Sequence, residues 1–468
     1  MKRYYLAVDI GASSGRHILG YVENGKIVLE EIYRFQNGMI EKNGRKCWDH
    51  EALTQSVIAG MKKCRELGKI PVCMGIDTWG VDFALLDKNG SLIGDTVGYR
   101  DSRTDGMDTL VENIVSPASL YEKTGIQKQI FNTVYQLMAV KTQAPEELDC
   151  AEHLLMMPDY LNDRLTGVKH QEYTNATTSG LVNVENGEWD YALIQALGYP
   201  KKLFGELSMP GERVGNLLPE IAAEVGYDTT VLHAPSHDTA SAVLAVPIKS
   251  KNVAYISSGT WSLLGAEKEG AIVSEVARRY NFTNEGGYEK RYRFLKNIMG
   301  LWIIQSIKKE AGNYTFAELC DMARGVGEAD LRIDVNDKSF LAPKSMIEAI
   351  RSYCKRPDLP LDELLCCVYH SLAEGYAQAI GELSDCTGMS PDALHIVGGG
   401  SKDDYLNELT ANACKIPVFT GPTEATAIGN LLCSMLACGE FADVGEAREA
   451  VASSFDMQTI KPNGEIKK

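Results

Sequence analysis

The sequence predicts an α/β protein of two similar lobes, and three observations predict it. Short β-rich runs at Tyr4–Ile10, Val72–Ile76, Val253–Ile256 and Leu394–Val397 each end in or beside a glycine turn. Helical patterns lie between them, such as Tyr405, Leu409 and Ala413 at i, i+4 and i+8. Alternation of this kind argues for sheets covered by helices. The third observation is an internal echo, "YLAVDIGASSGRHILG" against "VAYISSGTWSLLG", about half a chain apart. Each reads as an apolar strand, a tight turn of small residues, and a second apolar strand. A duplicated domain accounts for the echo, and so does chance likeness of two hairpins.

The chain has 468 residues, of which 44% are apolar, enough for two or three domains with large cores. Its formal charge of −16 argues against a nucleic-acid or anionic-membrane partner, since both reward a basic face, but not against a phosphorylated small molecule. Twelve cysteines are scattered with no C-x-x-C pair, and the adjacent Cys366–Cys367 sits in an apolar helical run. They read as reduced thiols of a cytoplasmic protein. The start "MKRYYLAVDIGA" mimics a signal peptide until Asp9 cuts the apolar stretch short, and no run is apolar enough to span a bilayer. The boundary falls near Pro247–Lys251, giving domains over 1–246 and 247–468, and the residues from Met457 onward read as a polar tail.

The stretch "VDIGASSGR" places Asp9 at the end of a strand and small residues in the following turn. Small residues admit a ligand close to the backbone, and successive N–H groups make a nest for anions. Ser13 and Ser14 add hydroxyls and Arg16 a permanent charge; the lysine of a Walker loop is missing. Asp9 would repel a phosphate unless Mg²⁺ stood between them. The alternative is a surface hairpin with a capping aspartate. "SSGTWSLLG" offers Ser257, Ser258 and Thr260 around Gly259 as a second phosphate-binding turn, or as a plain hairpin.

In "PSHDTASAVLAVP", Ser236 is expected as N-cap, Thr239–Val246 as helix and Pro247 as its end. His237, Asp238 and Thr239 then occupy the first turn. Asp238 either complements the helix dipole or acts as a general base, a role that tolerates a weak base in phosphoryl transfer. A Ser/His/Asp hydrolase is discounted, because triads come from separate loops and no G-x-S-x-G elbow occurs. "GIDTWGVDF" supplies Asp77, Trp79 and Asp82, which suit polyol recognition or, for Trp79, a core position. "YRDSRT" (99–104) and "EYTNATTSG" (172–180) are pocket walls or solvated loops. "HIVGGGSKDDYLNELT" reads as strand, glycine turn, Ser401 as N-cap, then helix, a turn that accommodates phosphate or adenosine. The eight histidines show no zinc spacing.

Taken in order from residue 9 to residue 430, "DIGASSGR", "GIDTWGVDF", "YRDSRT", "MPDYLNDRLTG", "SHDTASAV", "SSGTWSLLG", "TNEGG", "KNIMGLW", "HIVGGGS" and "GPTEATAIGN" resemble the FGGY carbohydrate kinases. That family belongs to the actin, hexokinase and Hsp70 superfamily. The resemblance implies two duplicated ribonuclease-H-like (actin-like) ATPase domains with a cleft between them. It implies ATP-dependent phosphorylation of a ketose at its terminal hydroxyl, with Mg²⁺, by a monomer or homodimer.

By the same resemblance, Asp238 is the catalytic residue and Asp9 organises the metal. Ala12, Ser13, Ser14, Gly15, Arg16, Thr260, Gln305 and Gly399 contact the nucleotide. Gly80, His237, Asp238, Thr239 and Asn297 contact the sugar. Xylulokinases carry a "GQMHG"-like segment where this chain has "DTWGVDF", so that segment discriminates among substrates. Gly180 departs from the pattern, since a glutamine is expected there. Rival readings are a kinase for another ketose and a non-enzymatic nucleotide switch of Hsp70 or actin type.

Overall fold

Residues 5–10 are buried one after another, as a strand covered on both faces requires, which explains an apolar run without alternation. The computed structural model describes residues 2–248, 250, 252–328, 330–463 and 466–467. They form two compact units. One comprises Met1–Ala245, Lys268–Phe294 and Thr426–Ser454; the other comprises Val246–Glu267, Leu295–Ala425 and Phe455–Lys468. Lys249 and Lys251, within the expected boundary, lie outside the described residues.

The sheet of the first unit runs Arg213–Asn216, Thr230–Leu232, Pro71–Thr78, Tyr4–Ile10, Ser14–Glu23, Lys26–Gln36. Tyr4–Ile10 pairs antiparallel with Ser14–Glu23 and parallel with Pro71–Thr78. Pro71–Thr78 pairs parallel with Thr230–Leu232, whose other neighbour is antiparallel. In the second unit the corresponding order is Trp261–Lys268, Val253–Ser258, Ala393–Val397, Val418–Thr420, Gln458–Ile460. Its successive pairings are again antiparallel, parallel, parallel, antiparallel. Chance likeness of two hairpins does not reproduce a whole sheet plan. The echo is a duplication.

Helices cover these sheets with long buried faces. Leu361–Thr387 buries Leu364, Leu365, Cys366, Cys367 and Val368 in succession, each large apolar side chain contributing about 2 kcal/mol. Helix Ala425–Ala437 approaches helix Asp238–Leu244 so closely at Gly429 that a Cβ there would lie 1.7 Å from the Ser241 carbonyl oxygen. All twelve cysteines are free thiols, and Cys73 and Cys438 have sulfurs 3.6 Å apart. Among the described residues, no helix is long and apolar enough to cross a membrane.

Several local expectations are corrected. The helix after "PSH" spans Asp238–Leu244, stops before Val246, and has His237 at its N-cap. Ser236 is not the cap because its hydroxyl is drawn inward to Glu172. Ser401 likewise turns back to the Gly398 carbonyl at 2.7 Å, and Asp403 caps helix Asp404–Cys414 by accepting from Leu406 N. In both places another acceptor outcompetes the helix end for the hydroxyl. Gln458–Ile460 is a strand rather than tail, paired antiparallel with Val418–Thr420 and with Ile466–Lys467; Gly464, Glu465 and Lys468 lie outside the described residues.

Candidate active site

Parallel pairing of Tyr4–Ile10 with Pro71–Thr78 puts Asp9 directly beside Asp77, and antiparallel pairing with Ser14–Glu23 puts Arg16 beside Asp9. Arg16 donates to Asp9 Oδ2 through Nε at 3.0 Å and Nη2 at 2.8 Å. The turn between Ile10 and Ser14 closes through Gly11 N to Ser14 O at 2.9 Å. Asn37 braces it from outside, donating its side chain to Gly11 O at 2.8 Å and its backbone N–H to Ser13 O at 3.0 Å. Ala12, Ser13 and Ser14 are thus held in a fixed, accessible turn. Gly15 has a packing reason of its own: a Cβ there would lie 2.1 Å from the Phe35 ring.

Thr78 N donates to Ser236 O at 2.9 Å, and Thr78 bridges to His237, so the strand bearing Asp77 delivers the segment that leads into Asp238. Glu172 fixes that segment from beneath, accepting from Ser236 N and Oγ as well as from Thr174 and Asn175 N–H groups. Asp238 keeps 34% of its side chain exposed. Its Oδ1 accepts from Thr239 Oγ1 at 3.1 Å and lies 3.5 Å from His237 Nε2. Asp9, Asp77 and Asp238 therefore share one region. Burial first, then the Asp9 charge, pushes Asp77 well above the usual carboxylate range, while a hydrogen bond from Asn430 opposes the rise.

Gly80 and Val81 begin the "GVDF" segment. Val81 has φ +69°, a left-handed conformation that a β-branched residue adopts only when its surroundings impose it. Thr178 Oγ1 accepts from Val81 N at 3.0 Å, and Thr133 Oγ1 donates to Val81 O at 2.7 Å. Asp82 is an interior anchor rather than a free polyol ligand. Its Oδ2 accepts from Trp48 Nε1 at 2.6 Å, Trp79 Nε1 at 2.9 Å and Tyr99 N at 3.1 Å; its Oδ1 accepts from Gln136 at 2.9 Å. Trp79 packs against Trp48 with ring centres 3.9 Å apart and planes tilted by 33°, and is 7% exposed. Segments 99–104 and 172–180 are not solvated loops: Asp101, Arg103 and Glu172–Gly180 are buried. Gly180 takes φ +71°, which a glutamine would adopt only with strain, so the departure matches its backbone.

The remaining candidates belong to the second unit. Thr260 lies in the turn of its hairpin, and Thr260 O accepts from Trp302 N at 3.1 Å, tying the turn to helix Trp302–Ala311, which carries Gln305. In "GGG", a Cβ on Gly400 would lie 2.0 Å from Ser258 Oγ, whereas Gly399 is exposed and its Cβ position nearly open. Gly399 is the one of the three with room for a ligand. Asn297, on strand Tyr292–Met299, is half-buried and its Oδ1 has no hydrogen-bond partner.

Models of the FGGY family of carbohydrate kinases match this chain twice, the N-terminal domain over residues 4–245 and the C-terminal domain over 254–438. The chain belongs to the FGGY family of carbohydrate kinases. As an FGGY kinase it transfers phosphate from ATP to a carbohydrate. It is 48% identical to a rhamnulokinase of Halalkalibacterium halodurans over 462 residues, covering 97% of this chain and 98% of the relative. A rhamnulokinase of Oceanobacillus iheyensis is 47% identical, with 98% of each chain covered. The fold also matches the crystal structure of a gluconate kinase from Lactobacillus acidophilus, with TM-score 0.81 at 17% identity, covering 99% and 94% of the two chains.

Sequence reasoning missed the residues that support this FGGY kinase's site from behind. Asn37, Asn430, Glu285 and Arg293 all lie within the first unit, yet distant in sequence from the groups they hold. "TNEGG" and "GPTEATAIGN" drew notice only as segments of resemblance. A buried charge inside an apolar strand, as in "YRFL", was the available signal for Arg293.

Proposed function

We propose that this chain phosphorylates L-rhamnulose at O1 with ATP, giving L-rhamnulose 1-phosphate and ADP, in the cytoplasm. The observation that carries the reading is the placement of Asp238: half-exposed, held through one oxygen, and in the same region as Asp9 and Asp77. Near-full-length identity to rhamnulokinases supports the choice of ketose. In the proposed reaction the O1–H bond breaks, O1 bonds to the γ-phosphorus, ADP leaves, and Asp238 orients the hydroxyl and takes its proton. Gly80, His237, Thr239 and Asn297 contact the sugar in this reading. Ala12–Arg16, Thr260, Gln305 and Gly399 contact the nucleotide. Orientation of the attacking oxygen supplies much of the advantage, because the transition state is loose.

The acidic groups also fit a magnesium ion. Asp77 Oδ1 is buried without a hydrogen-bond partner, and Asp9 stands beside it, both hard oxygen donors. Among the described residues no three acidic, histidine or cysteine side chains form a metal cluster. That donor set suits Mg²⁺, which takes one or two carboxylates and completes its shell with water and phosphate. Bound there with Asp9, Mg²⁺ would neutralise charge on the phosphates. A panel of ketoses with coupled ADP detection tests the substrate. L-rhamnulose is expected to give the highest kcat/KM; L-fuculose or xylulose ahead of it would overturn the assignment.

A further inference from the structure

A guanidinium group can only donate hydrogen bonds. Arg293 Nη2 lies 3.1 Å from His237 Nδ1, so Nδ1 must offer its lone pair and the imidazole proton must sit on Nε2. The arginine has little freedom to do otherwise. It is 1% exposed and its Nε donates to Gly286 O at 2.9 Å. Glu285 is its counter-ion, with Oε2 3.0 Å from Nη1. The same Oε2 lies 3.3 Å from His237 Nδ1 and would accept from it if the proton moved there. The two neighbours therefore favour opposite tautomers, and the hydrogen-bond geometry belongs to Arg293. Nε2, on the far side of the ring, lies 3.5 Å from Asp238 Oδ1.

We infer that Arg293 is a positioning residue: by donating to Nδ1 it fixes His237 as the Nε2–H tautomer, whose proton faces Asp238 Oδ1. The Thr239 hydroxyl donates to Oδ1, the Nε2–H stands 3.5 Å from the same oxygen, and Oδ2 is left for the substrate hydroxyl. Glu285 keeps the buried arginine neutralised and ordered. An adjacent histidine and a distant arginine thereby set the direction of the general base. The kinetic part of this inference rests on Asp238 acting as proposed above; the tautomer itself does not.

Nitrogen-15 NMR of the full enzyme with labelled histidine, with His237→Asn to assign the signal, reads the tautomer directly. The wild type is expected to show an unprotonated Nδ1 and a protonated Nε2. A protonated Nδ1 in the wild type would overturn the inference. Arg293→Met should release the lock, with kcat falling between about tenfold and about a hundredfold, the scale of misplacing a reacting group, while the KM for ATP stays unchanged. Arg293→Lys, which still only donates, should recover part of the loss and retain the Nε2–H signal. Should Arg293→Met fail to fold because Glu285 is left unpaired, the double variant Arg293→Met/Glu285→Gln removes both charges and is read in the same way. Unchanged kcat with a mixed tautomer would contradict the positioning role. Silence of the ketose panel would instead strike the proposed substrate and leave the NMR result standing.

Discussion

Asn430 donates its side-chain amide to Asp77 Oδ2 at 2.6 Å, across 353 residues of sequence. The same amide reaches Gly75 O at 3.2 Å, so one buried side chain grips the strand at two points. Helix Ala425–Ala437 thereby acts on the acidic region of the first unit, which explains why a terminal "GN" belongs to the recognised pattern. Two buried acceptors depend on one donor. Asn430→Ala should cost about 1–3 kcal/mol, the penalty for leaving buried polar groups unpaired. Urea unfolding measures this, and an unmoved midpoint would contradict the role given to Asn430.

Asp82 is the acceptor for two indoles, a backbone N–H and a glutamine amide. Asp82→Ala strands the two indoles and the Tyr99 N–H, whereas the Gln136 amide keeps the Phe131 carbonyl at 2.9 Å. At about 1 kcal/mol for each of the three, the loss should reach about 3 kcal/mol. Trp48 and Trp79 should then repack, visible as a change in tryptophan fluorescence of the folded protein. A variant that binds ketose poorly but unfolds at the wild-type midpoint would return Asp82 to the sugar.

His17 is fully buried, and burial lowers it from 6.5 to about 4 although its ring nitrogen bonds the Val57 carbonyl. The unfolded imidazole takes up a proton as pH falls through about 6.5, while the folded one resists until about 4. Between those values the unfolded chain binds more protons, so this share of stability is full above pH 6.5 and is lost as pH drops toward 4. At about 1.4 kcal/mol per pKa unit the share is about 3 kcal/mol. The stability gap between wild type and His17→Phe should shrink by that amount over this interval, followed by urea unfolding at successive pH values. Parallel profiles would show that His17 is not the titrating group.

Much of the fold was legible because apolar runs and glycine turns are local. Tyr4–Ile10 is a strand from its own composition, and the two hairpins announced the duplication. His237, Asp238 and Thr239 were legible as a helix start. What failed was competition. Ser236 and Ser401 have the right chemistry for N-caps, but Glu172 and the Gly398 carbonyl take their hydroxyls instead. Asp82 looks like a sugar ligand by type, yet Trp48 and Gln136, far off in sequence, claim its oxygens. Gly400 looks like a ligand-cradling glycine, though the atoms nearest its missing side chain are those of Ser258.

The account stands on Asp238 as the group that orients and deprotonates the sugar hydroxyl. Steady-state turnover of L-rhamnulose by Asp238→Asn, with ketose binding followed by calorimetry, tests it most directly. Turnover should fall by at least ~10²-fold, the scale of a lost general base, while the ketose still binds within a few-fold of wild type. Near-normal kcat in that variant would contradict the account.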